Sequence, residues 1–454
     1  MSRGRPARRT TMAAQHRRPT LIALLIGFLV GAAAMAGVGC GLGYVGEGSR
    51  TDPNAAATAD ADASLDTDAG SDDAGQDSAG ADGEGHGAAD GTSSSNPADP
   101  DRLTVTVSGD LLWHEEVWAS GENGDGTWDF TDMFADVKPM IEGADVAICH
   151  QETVFAPPEG PYLGYPGFQS PPQVIDAIKD TGWDMCTTAS NHSVDAGTAG
   201  LFRTLDTFDA AGVLHSGAAR SPEEMDQPRI FTASNGARIA VVTGTYGTNG
   251  IPVEHPWLVG GLDPDELLGK AAAARAAGAD IVMVAMHAGE EAVVEPTQQQ
   301  VELAQILTAS PNVDVVYGHH IHAVQPIEQV NGKWVIYGLG NMVAHQSAET
   351  VLSYEGITVE LEFARGGSGR WSVAGLSYIP TVVTPYLTFP VRVAPVSTLM
   401  ERMDADGSGG VGGADGAGPD ARGFPDRGRL EESLARTRAA VFSRGLDPAL
   451  VTEK

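Results

Sequence analysis

The chain has 454 residues, 42% of them hydrophobic, and carries 60 acidic against 28 basic side chains, a formal net charge of -32. That length allows one large or two ordinary domains with a substantial core, while the charge argues against a nucleic acid or an anionic lipid surface as the main partner. Three cysteines in so long a chain are no disulfide framework.

Residues 1–20 form a basic N-terminus, with Arg3, Arg5, Arg8, Arg9, Arg17 and Arg18 and no acid. Leu21–Val38 is a continuous apolar run, and segment 21–39 reads as a transmembrane anchor or signal. A basic flank before such a run keeps the N-terminus in the cytoplasm and sends the downstream chain outward. The run is borderline in length between a signal core and a membrane span. Three fates compete. The run stays as a single span with the domain outside, it is cut after Ala36, or Cys40 is lipidated, although Gly37 stands where lipoprotein signals usually have Leu. The uncleaved cell-membrane anchor is the favoured reading. Residues 46–101 are Ala, Asp, Gly and Ser with almost no large apolar side chain, so they predict a disordered acidic linker.

A folded domain is predicted over 103–395. LTVTVSGD is a strand that delivers Asp110 at its end, and Thr131–Ile141 is helical. Asp145–Glu152 is a second strand ending in an acid, and Pro172–Thr181 is helical. A third strand runs into Asn191-His192, Gly200–Ala211 is helical, and a short strand leads to His215. ARIAVVTGTYGTNG is a strand and polar loop holding Tyr246 and Asn249. Asp263–Ala277 and Thr297–Ala309 are helical, with a strand ending at His287 between them. Asp314–Tyr317 is a buried strand that stops at Gly318, after which come His319, His320 and His322. On an extended backbone residues two apart point the same way, so His320 and His322 reach one centre together. After Asn341 the pattern changes to alternating, antiparallel strands. Residues 404–427 predict a Gly/Asp-rich disordered segment whose EF-hand-like spacing lacks the closing Glu, and 428–446 a C-terminal helix.

Alternating strand and helix with apolar strands imply an α/β fold, its mainly parallel sheet covered on both faces. Ligands in such folds collect at the carboxyl ends of strands, where Asp110, Glu152, Asn191, His192, His287, His320 and His322 all fall. Carboxylate, amide and imidazole ligation suits Mn, Fe or Zn. Tyr246, Asn249 and Asn341 lie in Gly-rich loops after strands, either orienting substrate or serving as the turn residues Asn and Gly supply anyway. Asp195 reads as a helix cap. Glu290 and Glu291 are either supports for imidazole N–H groups or solvated. Cys149 and Cys186 fall near the ends of two strands; an extracellular setting allows a disulfide between them, while buried parallel neighbours more often keep free thiols, the favoured reading.

GD at Asp110, Glu152 after the second strand, ASNHSVDAG, MHAGEE, GHHIHAVQPIE and YGLGN, in order from about Leu103 to about Pro390, together resemble the capsule-synthesis CapA/PgsA family. That resemblance implies a calcineurin-like metallophosphoesterase sandwich, central β-sheets flanked by helices, with two divalent metal ions. Asp110 would bind one and Glu152 would bridge both. Asn191 and His287 would bind the second with one imidazole of His320 and His322, the other completing the first site. His192 would be the general acid. The chain departs from the wider pattern in having Leu112 where Asp-x-His has its imidazole, and Glu152 where Asp is usual. His114 either compensates at the catalytic centre or is a loop histidine near Glu115 and Glu116.

The resemblance implies two alternative functions. One is a membrane-anchored, extracytoplasmic hydrolase in synthesis or export of a poly-γ-glutamate capsule, acting on an anionic polymer or phosphoester. The other is a non-catalytic component that binds polymer or a partner in a membrane synthase or export complex.

Overall fold

The computed structural model describes residues 99–405 and 422–454. The basic terminus, the apolar segment 21–39, nearly all of the linker 46–101 and most of the stretch 404–427 lie outside the described residues. Among the described residues no helix is long and apolar enough to cross a membrane.

The strands are β1 (Arg102–Leu111), β2 (Val146–Gln151), β3 (Met185–Thr187), β4 (Leu214–Ser216), β5 (Ile230–Thr232), β6 (Arg238–Thr245), β7 (Ile281–His287), β8 (Val315–His319), β9 (Ile327–Val330), β10 (Lys333–Ile336), β11 (Asn341–Val343), β12 (Glu355–Arg365), β13 (Trp371–Val383), β14 (Val393–Pro395) and β15 (Thr452–Glu453). One sheet runs β14-β13-β12-β1-β2-β3-β4, with β11 beside β1 and β15 beside β13; the other runs β5-β6-β7-β8-β10-β9. β1 through β4 pair parallel, as do β6, β7, β8 and β10. β12 and β13 are the antiparallel pair foreshadowed by the alternation after Asn341.

The layering differs from one sheet with helices on both faces. Each sheet has helices on its outer face and the other sheet on its inner face. Val105, Val107 and Ile148 of the first sheet share a core with Ile239, Met283 and Val315 of the second. Phe134, Ile175 and Ile178 cover the first sheet from outside, and Leu267, Leu303 and Leu307 cover the second. The chain passes between sheets after β4, and strand–helix alternation does not register that crossing. Each such aliphatic side chain contributes about 1.5–3 kcal/mol on burial, so the inter-sheet core is a main source of rigidity for the strand ends.

Two glycines let the strand ends close up. A Cβ on Gly109 would meet the carbonyl oxygen of Gly340, and one on Gly318 that of Tyr337. The helix Gln298–Ala309, before β8, begins with a reciprocal cap between Thr297 and Gln300.

Cys149 and Cys186 are disulfide-bonded, which corrects the expectation of free thiols. They are direct partners in the β2–β3 register, with Cα atoms 4.4 Å apart, inside the span a disulfide bridges.

Candidate metal centre

β1, β2, β3, β7 and β8 end at one edge of the sandwich. Asp110 is opposite Asn341 on β11 and His150 on β2. His287 is opposite His319 across β7 and β8. Sheet register therefore brings together side chains from most of the domain's length.

Asp110 is fully buried. Its Oδ1 accepts from His319 Nδ1 at 2.6 Å and its Oδ2 from the His320 backbone N–H at 3.1 Å. His322 Nδ1 lies 3.2 Å from that Oδ2. Burial alone would raise the Asp110 carboxyl, but the neighbouring His319 and His322 hold it well below the usual range. His322 Nδ1 also faces Asn341 Oδ1 at 2.9 Å, and Asn341 Nδ2 donates to Ser353 O at 2.8 Å. The amide is thereby fixed with its oxygen toward the ring, so His322 carries a proton on Nδ1 and turns Nε2 to Glu152 Oε1, 3.6 Å away. Asn341, expected to orient substrate, is buried with both amide groups bonded to protein, and its place is behind His322.

Glu152 is buried with neither carboxylate oxygen hydrogen-bonded. Burial pushes its carboxyl well above the ordinary value. His287 Nε2 is 3.8 Å from Glu152 Oε1 and 2.8 Å from Asn191 Oδ1. Asn191 Nδ2 donates to Asn249 Oδ1, which also accepts from the half-exposed Tyr246 hydroxyl. The Tyr246 ring lies 4.6 Å from that of His320. Tyr246 and Asn249 are thus at the rim, beside the predicted ligands. Glu152, His320 and His322 each offer an atom within 4.8 Å of one another.

His320 and His322 do not lie on extended backbone. Both have positive φ, 92° and 52°, so a turn delivers the two imidazoles, their centroids 6.1 Å apart. Non-glycine residues in that region cost of order 1–3 kcal/mol each and persist where surrounding structure enforces them.

These donors fit divalent cations. A buried carboxylate without a donor is costly unless a charge compensates it, and Nδ1 of His320 is buried and unpartnered. Carboxylate, amide oxygen and imidazole form the ligand mixture that borderline transition metals take.

A second trio, Asp110, His150 and His319, also lies within 4.8 Å. The two rings stack at 4.2 Å and 17°, so their in-plane lone pairs run parallel and do not converge on one ion. The trio is better described as a support that orients Asp110. Sequence reasoning missed His150, although it stands two before Glu152, which directly follows β2, and so shares its face.

His192 Nδ1 bonds Asp195 Oδ2 at 2.7 Å, and that oxygen also accepts the Phe168 N–H at 2.8 Å. Asp195 therefore holds an imidazole, and the side-chain cap expected of it is not made; a His-x-x-Asp spacing was the available signal. Leu112 packs with Phe168 and Ala344. His114 is buried, with Nδ1 accepting the His345 N–H at 3.2 Å.

The model of the family described as "Bacterial capsule synthesis protein PGA_cap" matches residues 104–346. The chain is 28% identical over 207 residues to the "PGA biosynthesis protein CapA" of Bacillus subtilis (strain 168), covering 45% of this chain and 53% of that one. It is 27% identical over 256 residues to the "Capsule biosynthesis protein CapA" of Bacillus anthracis, covering 54% and 61%. It thus spans between 53% and 61% of the length of these two curated relatives. Among solved structures it is similar to the calcineurin-like phosphoesterase YfkN from Bacillus subtilis, with TM-score 0.41 and 12% identity over 74% of this chain and 97% of that one. The NAD nucleotidase of Haemophilus influenzae gives TM-score 0.39 and 12% identity over 74% and 60%. With more than half its length matched by the family model, this chain belongs to the bacterial capsule synthesis protein PGA_cap family.

Proposed function

We propose that this chain is a metal-dependent hydrolase of capsule poly-γ-glutamate synthesis or export, anchored by its N-terminal apolar segment with the domain outside the membrane. The observation that carries the reading is Glu152: a buried carboxylate with both oxygens unpartnered, faced by His287 and His322 from the other sheet. Asp110, Glu152 and His322 would hold one divalent ion, and Glu152, Asn191, His287 and His320 the other. Divalent ions there would supply Lewis-acid activation of water and neutralise charge developing on a phosphoryl or acyl centre. His192, its Nδ1–H given to Asp195, keeps Nε2 to pass a proton to a leaving oxygen. Tyr246 and Asn249 present polar groups at the rim for an anionic polymer or phosphoester.

The experiment is elemental analysis of the purified protein beside a phosphodiester and γ-glutamyl hydrolysis screen. About two divalent ions per chain are expected, as two-metal sites require, with metal-dependent turnover that Asp110→Asn, which keeps the shape of the buried group, abolishes. Folded protein that neither binds metal nor hydrolyses would favour a binding component of a capsule synthesis complex. The specific observation on that side is Leu112, an apolar side chain where the wider superfamily pattern places a ligand.

A further inference from the structure

We propose that His114 contacts the substrate as a fixed Nε2–H donor for an oxyanion, phosphate or carboxylate, and does not ligate a cation. The proposal rests on the hydrolase reading for its location and on geometry for its chemistry. His114 is four residues past Asp110, just before the helix Glu115–Ala119, and is the nearest imidazole in sequence that could replace the one missing at Leu112.

Its ring orientation is set from behind. Nδ1 accepts the backbone N–H of His345 at 3.2 Å. Turning the ring over would set a C–H against that N–H and leave a buried donor unpaired, which costs about as much as a lost hydrogen bond. His345 is itself held: its Nε2 accepts the Leu387 N–H at 3.0 Å, and its ring stacks on Tyr386 at 4.9 Å. Burial, together with the His322 and His345 imidazoles, pushes His114 down to about 3, so the ring is neutral. A neutral imidazole whose Nδ1 lone pair is committed carries its one proton on Nε2. No in-plane lone pair remains there for a metal, which binds neutral imidazole nitrogen through that pair.

The donor stands beside the site. Phe168 takes the His114 ring edge-on at 5.3 Å and the His192 ring edge-on at 4.7 Å. His114 and His192 therefore flank one aromatic ring, with His322 near enough to act on His114 electrostatically. One imidazole of the pair is tied to a carboxylate and can exchange a proton. The other is tied to a backbone amide and can only donate. A donor fixed by a backbone hydrogen bond suits recognition of an anionic oxygen.

The test uses the full chain loaded with Zn2+. Nitrogen-15 spectra of histidine-labelled protein, with the His114 signals assigned by their loss in His114→Gln, should show Nε2 protonated and Nδ1 not. Orthophosphate is the binding probe, read by calorimetry. His114→Ala should weaken it roughly 10–100-fold, the effect of losing a hydrogen bond to a charged group, with metal content unchanged. His114→Gln, whose side-chain N–H falls near Nε2, should recover most of that loss. Loss of metal in His114→Ala, an unprotonated Nε2 in the wild-type protein, or undiminished phosphate affinity in His114→Ala each overturns the proposal. Phosphate binding that depends on His114 in a protein without hydrolytic activity would sink the hydrolase reading and leave this one standing.

Discussion

Glu152→Gln separates the site's chemistry from the stability of the fold. Glu152 keeps both oxygens out of water without a hydrogen bond, and its closest partners are His322 Nε2 at 3.6 Å and His287 Nε2 at 3.8 Å. Burial raises its carboxyl well above 4.5. Between 4.5 and that raised value the folded chain keeps a proton that the unfolded chain has lost. Stability of the metal-free protein therefore falls as pH rises across the interval and stays low above it. Glutamine keeps the shape and removes the charge. The buried amide lacks partners as well, so the difference is the extra cost of the charge, about 1–3 kcal/mol, and metal-free Glu152→Gln should be more stable than wild type by about that amount at neutral pH. At about 2–4 °C per kcal/mol for a domain of this order, the midpoint should rise by roughly 2–10 °C, and the gap should close as pH is lowered toward 4.5. With cation the order reverses. Wild type gains about 4 kcal/mol per site at a thousandfold excess over Kd, and the variant loses most of that gain. Thermal unfolding with chelator and with Mn2+, at pH 5 and pH 7.5, reads both effects. A variant that keeps the full metal-induced shift, or melts well below wild type in chelator, would refute the reasoning.

Asn341→Ala removes the acceptor that fixes His322 Nδ1–H and should weaken metal affinity roughly 10–100-fold with the fold intact. Asn341→Asp should restore it, as measured by competition with a chelator. Metal affinity should also fall as pH is lowered. Burial alone would lower His322, but the Glu152 and Asp110 carboxylates outweigh it and lift the ring to about 10, so cation uptake must expel the proton held there; calorimetry in buffers of different ionisation enthalpy counts it. Replacing both Cys149 and Cys186 by Ala opens a link across 37 positions and should cost about 4 kcal/mol by the chain-entropy relation. An unchanged denaturant midpoint under oxidising conditions would mean the two sulfurs do not pair.

The strands and most helices were legible because their apolar runs are long and their ends carry the residues that chemistry needs. β7 reads as a buried strand ending at His287, and it is one. The features that escaped depend on information held between segments. Nothing local says that β6 joins a different sheet from β4, so the strand–helix alternation reads as one sheet, and the two-sheet sandwich came only from the family resemblance. His150 looked like the interior of a strand because its partners, Thr187 and His319, come from other strands. Asp195 follows His192 at a spacing that suits a cap, and only the fold of the 156–172 loop onto it, through Phe168, shows that it holds an imidazole. The left-handed backbone at His320 and His322 was equally out of reach, since histidine tolerates positive φ better than most residues but does not require it.

The two sheets contribute the centre in halves: β1, β2 and β3 bring Asp110, Glu152 and Asn191, while β7 and β8 lead to the histidines. Asp110 waits 209 positions along the chain for His319. No early fragment, and neither sheet by itself, can assemble the grip. Under the proposed metal reading, capture of an ion would report that both halves have docked, and the ion would act as a rivet across the seam.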